Sequence, residues 1–133
     1  MAYNILIVDD SQTMRSIIAK NLEMASLDLG SILFAVNGKD ALDKLANNWV
    51  DLVITDLNMP EMSGVQLVEA MSRDGLLNAT PVIVVSTDGS KERIAALRQM
   101  GIREYLRKPF TPESVSEVII RVLGEQNDKS DSL

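Results

Sequence analysis

The chain of 133 residues contains no cysteine and no histidine, and its aromatics amount to one Trp, two Tyr and two Phe. Without cysteine there can be no disulfide framework and no thiolate metal site. That fits a reducing compartment, and a cytoplasmic protein is expected. Without histidine, base catalysis by imidazole, a His-ligated metal and a Ser-His-Asp triad are all excluded within the chain. Any chemistry must run on carboxylates, hydroxyls and amines. Long hydrophobic runs are missing too. Ile5 to Val8 is far too short to span a membrane. The preceding Met1-Ala2-Tyr3-Asn4 lacks the basic start of a signal peptide. Positive charge is scarce, with 13 Lys and Arg against 19 Asp and Glu and a net charge of −6. That argues against general nucleic-acid binding through phosphate contacts. Lys91, Arg93, Arg98, Arg103, Arg107 and Lys108 do crowd into one stretch, but Glu92 and Glu104 interleave with them. A solvated helix face is the preferred reading.

What remains is an ordinary globular balance of 46% apolar and 24% charged residues in a length that suits one domain with a real core. Short apolar runs alternate with helical patterns. Asn4 to Val8, Ser31 to Val36, Asp51 to Thr55, Val82 to Val85 and Glu104 to Arg107 read as strands. Between them, residues 12–25 carry Met14, Ile17, Ile18 and Leu22 at helical spacing, with Ser11 as the N-cap. Asn37 caps a helix bearing Ala41, Leu42, Leu45 and Ala46. Residues 64–73 present Val65, Val68 and Met71, and residues 90–100 run up to Gly101 as a stop. Thr111-Pro112 starts a last helix that buries Val115, Val118, Ile119 and Val122. The domain is expected over residues 4–124, with 125–133 as a polar tail.

Five strand–helix units with continuous apolar strands imply an α/β fold, a doubly wound five-stranded parallel sheet covered on both faces. Periodicity does not set the strand order; the flavodoxin-like order 2-1-3-4-5 is one of two common choices, and it is expected here only as what the family resemblance given below implies. In such sheets ligands bind beyond the carboxyl ends of the strands. Asp9 and Asp10 follow the first strand, Asp56 the third, Ser86-Thr87-Asp88 the fourth, and Lys108-Pro109 the fifth. Two like charges about 4 Å apart repel by about 4 kcal/mol at an effective dielectric near 20. Three crowded carboxylates therefore need a cation or must take up protons. Lys108 supplies one positive charge, and an all-oxygen donor set suits Mg²⁺. A carboxylate beside Mg²⁺, an ammonium and a hydroxyl is a phosphoryl-acceptor site, because Asp can act as a nucleophile and form an acyl phosphate. Each residue alone has a duller explanation. Asp10 competes with Ser11 as a helix cap, Ser86 suits a turn, Lys108 a surface and Pro109 a stiff loop. The convergence of four strand ends favours the site.

The segments ILIVDDS at 5–11, LVITDLNMPEMSG at 52–64, PVIVVST at 81–87 and REYLRKPF at 103–110 resemble the receiver domain of two-component response regulators, above all the CheY-like, chemotaxis-type members. The resemblance covers about residues 4 to 123. It implies Asp56 as the phosphoacceptor and Asp9 and Asp10 as the Mg²⁺ site, with Asp10 the direct ligand. Asn58 would lend the metal its backbone carbonyl. Ser86 would be the switch hydroxyl, although Thr87 next to it is an alternative; Ser86 stands 30 positions after Asp56 and 22 before Lys108, as the pattern requires. Lys108 would pair with the phosphoryl group and join Pro109 through a cis peptide. Tyr105 would be the aromatic rotamer switch. The family often has threonine where Ser86 stands, so the stiffening γ-methyl is absent.

The resemblance further implies a single-domain response regulator in phosphorelay signalling, with a histidine kinase as donor, slow self-hydrolysis, and no separate metabolic substrate. A monomer is expected. Its downstream protein target would dock on the face of the helix over 90–100, the fifth strand and the last helix, where Ile94, Arg98 and Tyr105 are expected to be exposed. The competing reading has Ile94 complete the core beside Leu97. Two other functions fit parts of the pattern. A haloacid-dehalogenase-type phosphohydrolase also uses an Asp after a strand and a distant Lys, but it has a second Asp where this chain has Asn58. A flavodoxin-like cofactor binder would need a glycine- and hydroxyl-rich loop where Asp9-Asp10 stands.

Overall fold

Val8 pairs with Thr55, Thr55 with Val84, and Val84 with Tyr105, so the carboxyl ends of four strands end level along one edge of a parallel sheet. The computed structural model describes residues 2–25 and 27–131, without the side chains of 77, 78 and 126–131. Its strands are β1 (Tyr3–Val8), β2 (Leu29–Ala35), β3 (Leu52–Asp56), β4 (Val82–Ser86) and β5 (Glu104–Arg107). They lie in the order β2-β1-β3-β4-β5, the flavodoxin-like arrangement expected from the sequence.

Alternation along these strands divides the core in two. Leu6, Val8, Val53, Val82 and Val84 point to one face, where they meet Ala41, Leu67, Val68, Met71 and Leu97. Those partners come from α2 (Gly38–Asn47), α3 (Gly64–Arg73) and α5 (Lys91–Met100). Ile5, Ile7, Leu52, Ile54, Ile83 and Val85 point to the other face. There they meet Ile18 and Leu22 of α1 (Gln12–Met24) and Val115, Ile119 and Val122 of α6 (Pro112–Asp131). Burying each such Val, Leu, Ile or Met side chain stabilises the fold by about 1.5–3 kcal/mol. This is why the central strands read as unbroken apolar runs.

The helix starts follow the expected chemistry. Ser11 accepts the amide of Met14, Asn37 that of Asp40, and Thr111 that of Ser114. Ser63 and Gln66 form a reciprocal capping box at α3. Gly101 ends α5 with φ 117°, a left-handed conformation that glycine adopts without a Cβ clash.

Several expectations are corrected. Strand β2 begins at Leu29 rather than Ser31. Ile17 is 43% exposed and Ala46 is exposed, because α1 and α2 each lie against the sheet on a narrower stripe than their spacing allowed. A short helix, α4 (Leu76–Ala79), falls in what reads as a loop. Helix α6 continues through 125–131, into the stretch expected as a polar tail; positions 132 and 133 of that tail lie outside the described residues. Among the described residues no helix is long and apolar enough to cross a membrane.

Candidate functional site

The site forms where β1, β3, β4 and β5 end. Asp9 follows β1 and is 2% exposed. Its amide donates to the Ala35 carbonyl at 3.0 Å. Its Oδ1 accepts the Ser11 amide at 2.9 Å, and its carbonyl accepts the Arg15 guanidinium at 2.7 Å. Its Oδ2 stands 3.8 Å from Lys108 Nζ. Burial raises the Asp9 pKa above its usual 3.8. The Ser11 amide and the Lys108 ammonium oppose that rise, while the charges of Asp56 and Asp10 add to it.

Asp56, at the end of β3, places Oδ1 3.6 Å from the same Lys108 Nζ. Asp10 completes the group, and carboxylate oxygens of Asp9, Asp10 and Asp56 lie within 4.8 Å of one another. The helix cap belongs to Ser11, which leaves the exposed Asp10 carboxylate clear of capping. Three crowded carboxylates balanced by one ammonium keep a negative excess. The donors are all oxygen and open to solvent at Asp10, which fits a small hard divalent cation.

Lys108 is brought inward because its amide donates to the Ser86 carbonyl at 2.8 Å, extending the β4–β5 ladder by one residue. Its side chain is 17% exposed. The Lys108–Pro109 peptide is cis. Ser86 is the last residue of β4 and is 1% exposed, whereas Thr87 is exposed. The Ser86 hydroxyl accepts the Asp88 amide at 3.1 Å. Since Asp56 pairs with Val85, Ser86 lies one residue further along the adjacent strand end. Asn58 is exposed in the loop that follows Asp56. That loop is moored to the β2–α2 connection by Gly38, whose amide donates to the Met62 carbonyl at 2.9 Å, and by an Asn37–Glu61 side-chain bond of 3.4 Å.

The residues expected on the partner face stand apart from this cluster, on α5 and β5. Arg98 is exposed as expected and bonds Glu104 at 3.1 Å. Ile94 and Tyr105 are half-buried rather than exposed. Tyr105 packs against the α2–α3–α5 face of the core, and its hydroxyl donates to the Asp88 carbonyl.

Sequence reasoning gave no individual role to four residues that shape the site. Arg15 holds the Asp9 carbonyl. Gly64 makes room for the Asp56 backbone, and Thr55 donates its hydroxyl to the Asp56 carbonyl at 2.9 Å. Asp88 joins Ser86, Tyr105, Ser90 and Arg93. Gly64 and Asp88 left a signal, since a glycine opening a helix hints at close backbone approach and Asp88 stands just past the fourth strand.

The profile of the response regulator receiver domain matches residues 5–120 of this chain. Chemotaxis protein CheY1 of Helicobacter pylori is 40% identical over 121 residues, covering 90% of this chain and 96% of that protein. A chemotaxis protein CheY homolog of Campylobacter jejuni is also 40% identical over 121 residues, covering 90% and 92%. The crystallised chemotaxis response regulator CheY4 of Vibrio cholerae superposes with a TM-score of 0.81 at 30% identity, covering 92% of this chain and 99% of that one. With the parallel sheet and its acidic edge, these likenesses identify the chain as a member of the response-regulator receiver family, a signalling switch of the phosphorelay type.

Proposed function

We propose that Asp56 is the phosphoacceptor of this receiver. The observation that carries the reading is the single ammonium of Lys108 set 3.6 Å from Asp56 and 3.8 Å from Asp9, at the mouth of a cluster of three carboxylates. A carboxylate oxygen of Asp56 attacks the phosphorus of a phosphohistidine on a sensor kinase. The P–N bond breaks, its electrons go to the imidazole nitrogen, and that nitrogen takes a proton. Lys108 neutralises charge on the transferred group, as positioned cations do in phosphoryl transfer. Asp10, Asp56 and the backbone carbonyl of Asn58 would hold Mg²⁺, with Asp9 behind them, and the metal would supply charge neutralisation when bound. Water later attacks the phosphorus and restores the carboxylate, so the chain promotes its own phosphorylation and dephosphorylation without a separate metabolic substrate.

The signal leaves through population shift. Phosphorylation adds charge and three acceptor oxygens beside β4. The Ser86 hydroxyl turns toward them and releases the Asp88 amide, whose residue also holds Tyr105 and Arg93. A downstream protein then docks on α5, β5 and α6, meeting Ile94, Arg98 and Tyr105. The likeness to chemotaxis proteins supports a chemotaxis pathway. In this reading the receiver occupies residues 4–124 with 125–133 appended, and works as a cytoplasmic monomer that binds neither nucleic acid nor membrane. Incubation with phosphoramidate and Mg²⁺, followed by intact-mass measurement, tests it. One phosphoryl group should add to the wild type and none to Asp56→Asn.

A further inference from the structure

Arg15 stands in the first turn of α1, a turn without an acidic residue. A cation is disfavoured there by the helix dipole, by about 0.3–1 kcal/mol. Helix stability therefore gives no reason for it. Its guanidinium instead reaches back 2.7 Å to the carbonyl of Asp9, across the Ser11 cap. No carboxylate of the acidic cluster forms an ion pair with it among the described residues.

That carbonyl belongs to the Asp9–Asp10 peptide. A peptide group is planar, so the Asp9 oxygen, the Asp10 nitrogen and the Asp10 Cα move as one plate. On the other side Ser11 is fixed by its amide bond to Asp9 Oδ1 and by its cap bond to Met14. Asp10 is thus bracketed by two immobilised neighbours, although its own carboxylate is exposed and free of the cap. The hold on the plate sets the direction in which the Asp10 side chain leaves the backbone. Ligand orientation of this kind is worth one or two orders of magnitude in metal affinity elsewhere.

We propose that Arg15 is a positioning residue for divalent-cation binding, acting through the Asp9–Asp10 peptide to aim the Asp10 carboxylate. The inference rests on the reading of Asp10 as a metal ligand. It carries a direction that charge alone would reverse. Removing a nearby cation should tighten metal binding if only its field mattered; removing a positioning bond should weaken it.

The test is a Mg²⁺ titration of the full chain, followed by the amide chemical shifts of residues 9–11 and 56–58. Arg15→Met should weaken Mg²⁺ binding by about tenfold. Arg15→Lys, which keeps a donor and the charge, should recover most of the loss. Asp10→Ala serves as the control for the underlying reading. If Asp10→Ala binds Mg²⁺ like wild type, the ligand assignment fails and the inference with it. If Asp10→Ala loses binding while Arg15→Met binds as well as or better than wild type, the ligand assignment stands and the positioning role is overturned. Should Arg15→Met be too unstable to titrate, Arg15→Ala, which likewise removes both the donor and the charge, gives the same comparison.

Discussion

The carbonyl oxygen of Asp56 occupies the space that a side chain on Gly64 would need: a Cβ there would lie 2.1 Å from it and 2.9 Å from the Leu57 Cα. The amide of Gly64 also donates to the Leu57 carbonyl at 2.8 Å. The start of α3 is thereby pressed directly on the backbone that presents the proposed acceptor. The obstacle is main chain at the end of a central strand, so it cannot swing aside as a flexible side chain would.

Gly64→Ala should therefore displace the Asp56 backbone as well as cost stability. We expect a loss of about 1–3 kcal/mol, the usual penalty for overpacking, read from urea midpoints. Phosphorylation by phosphoramidate should slow more than Gly75→Ala slows it, although Gly75 carries the strained φ of 73° with nothing crowding its Cβ position. Equal rates in the two variants would mean that Gly64 matters only to folding.

Lys108→Met removes the cation shared by Asp9 and Asp56. Mg²⁺ affinity should rise, because a competing positive charge has left the carboxylates. Phosphotransfer should nevertheless fall, since the lost ammonium no longer balances the incoming oxygens. Calorimetry for the metal and stopped-time mass spectrometry for the phosphoryl group separate the two effects. A fall in both would place Lys108 in the assembly of the site rather than in charge balance.

Glu104 sits between Arg98 and Arg121 on α5 and α6. Burial alone would raise its pKa, but the bonds from Arg98, Arg121 and the Tyr105 amide outweigh it and hold the carboxyl below its usual 4.5. A lowered folded pKa means that the unfolded chain binds more protons as the pH drops. The ionised group therefore contributes stability that is fully present above pH 4.5 and lost as the pH falls through the folded value. The arginines are about half exposed, at 48% and 54%, so the effect is modest, about 1 kcal/mol or less. Glu104→Gln should lower the urea midpoint at neutral pH, with the gap closing in acid. A gap independent of pH would point to shape rather than charge.

Tyr105→Phe keeps the ring that packs on the core and deletes the hydroxyl bonded to the Asp88 carbonyl. A stability loss of about 1 kcal/mol is expected. Phosphorylation of Asp56 should proceed, while the phosphorylation-induced amide shifts along α5 should shrink. Unchanged shifts would remove Tyr105 from the path between site and surface.

Much of this arrangement is legible in the chain because its signals are local or repeated. Four apolar strands are followed by polar groups, which sets Asp9, Asp10, Asp56 and Lys108 at one edge. Caps at Ser11, Asn37 and Thr111 are short-range chemistry, and all three appear. The residues missed act over long range or through the backbone. Arg15 reaches over a helix cap to a carbonyl, and Asp88 ties its neighbours through its amide and carbonyl as well as its carboxylate. Neither leaves a periodic trace. Spacing alone does not say how far a short edge strand and its helix sink toward the core, so Tyr105 and Ile94 are half-buried where the sequence reading sets them outside; of the three, Arg98 is the exposed one.

The most direct test of the account is reduction of the phosphorylated protein with borohydride, followed by peptide mass spectrometry. Borohydride converts an aspartyl phosphate to homoserine at the residue that carried it. Homoserine is expected at position 56 alone, dependent on Mg²⁺. Homoserine at position 9 or 10, or a phosphorylated chain with aspartate intact at 56, would contradict it.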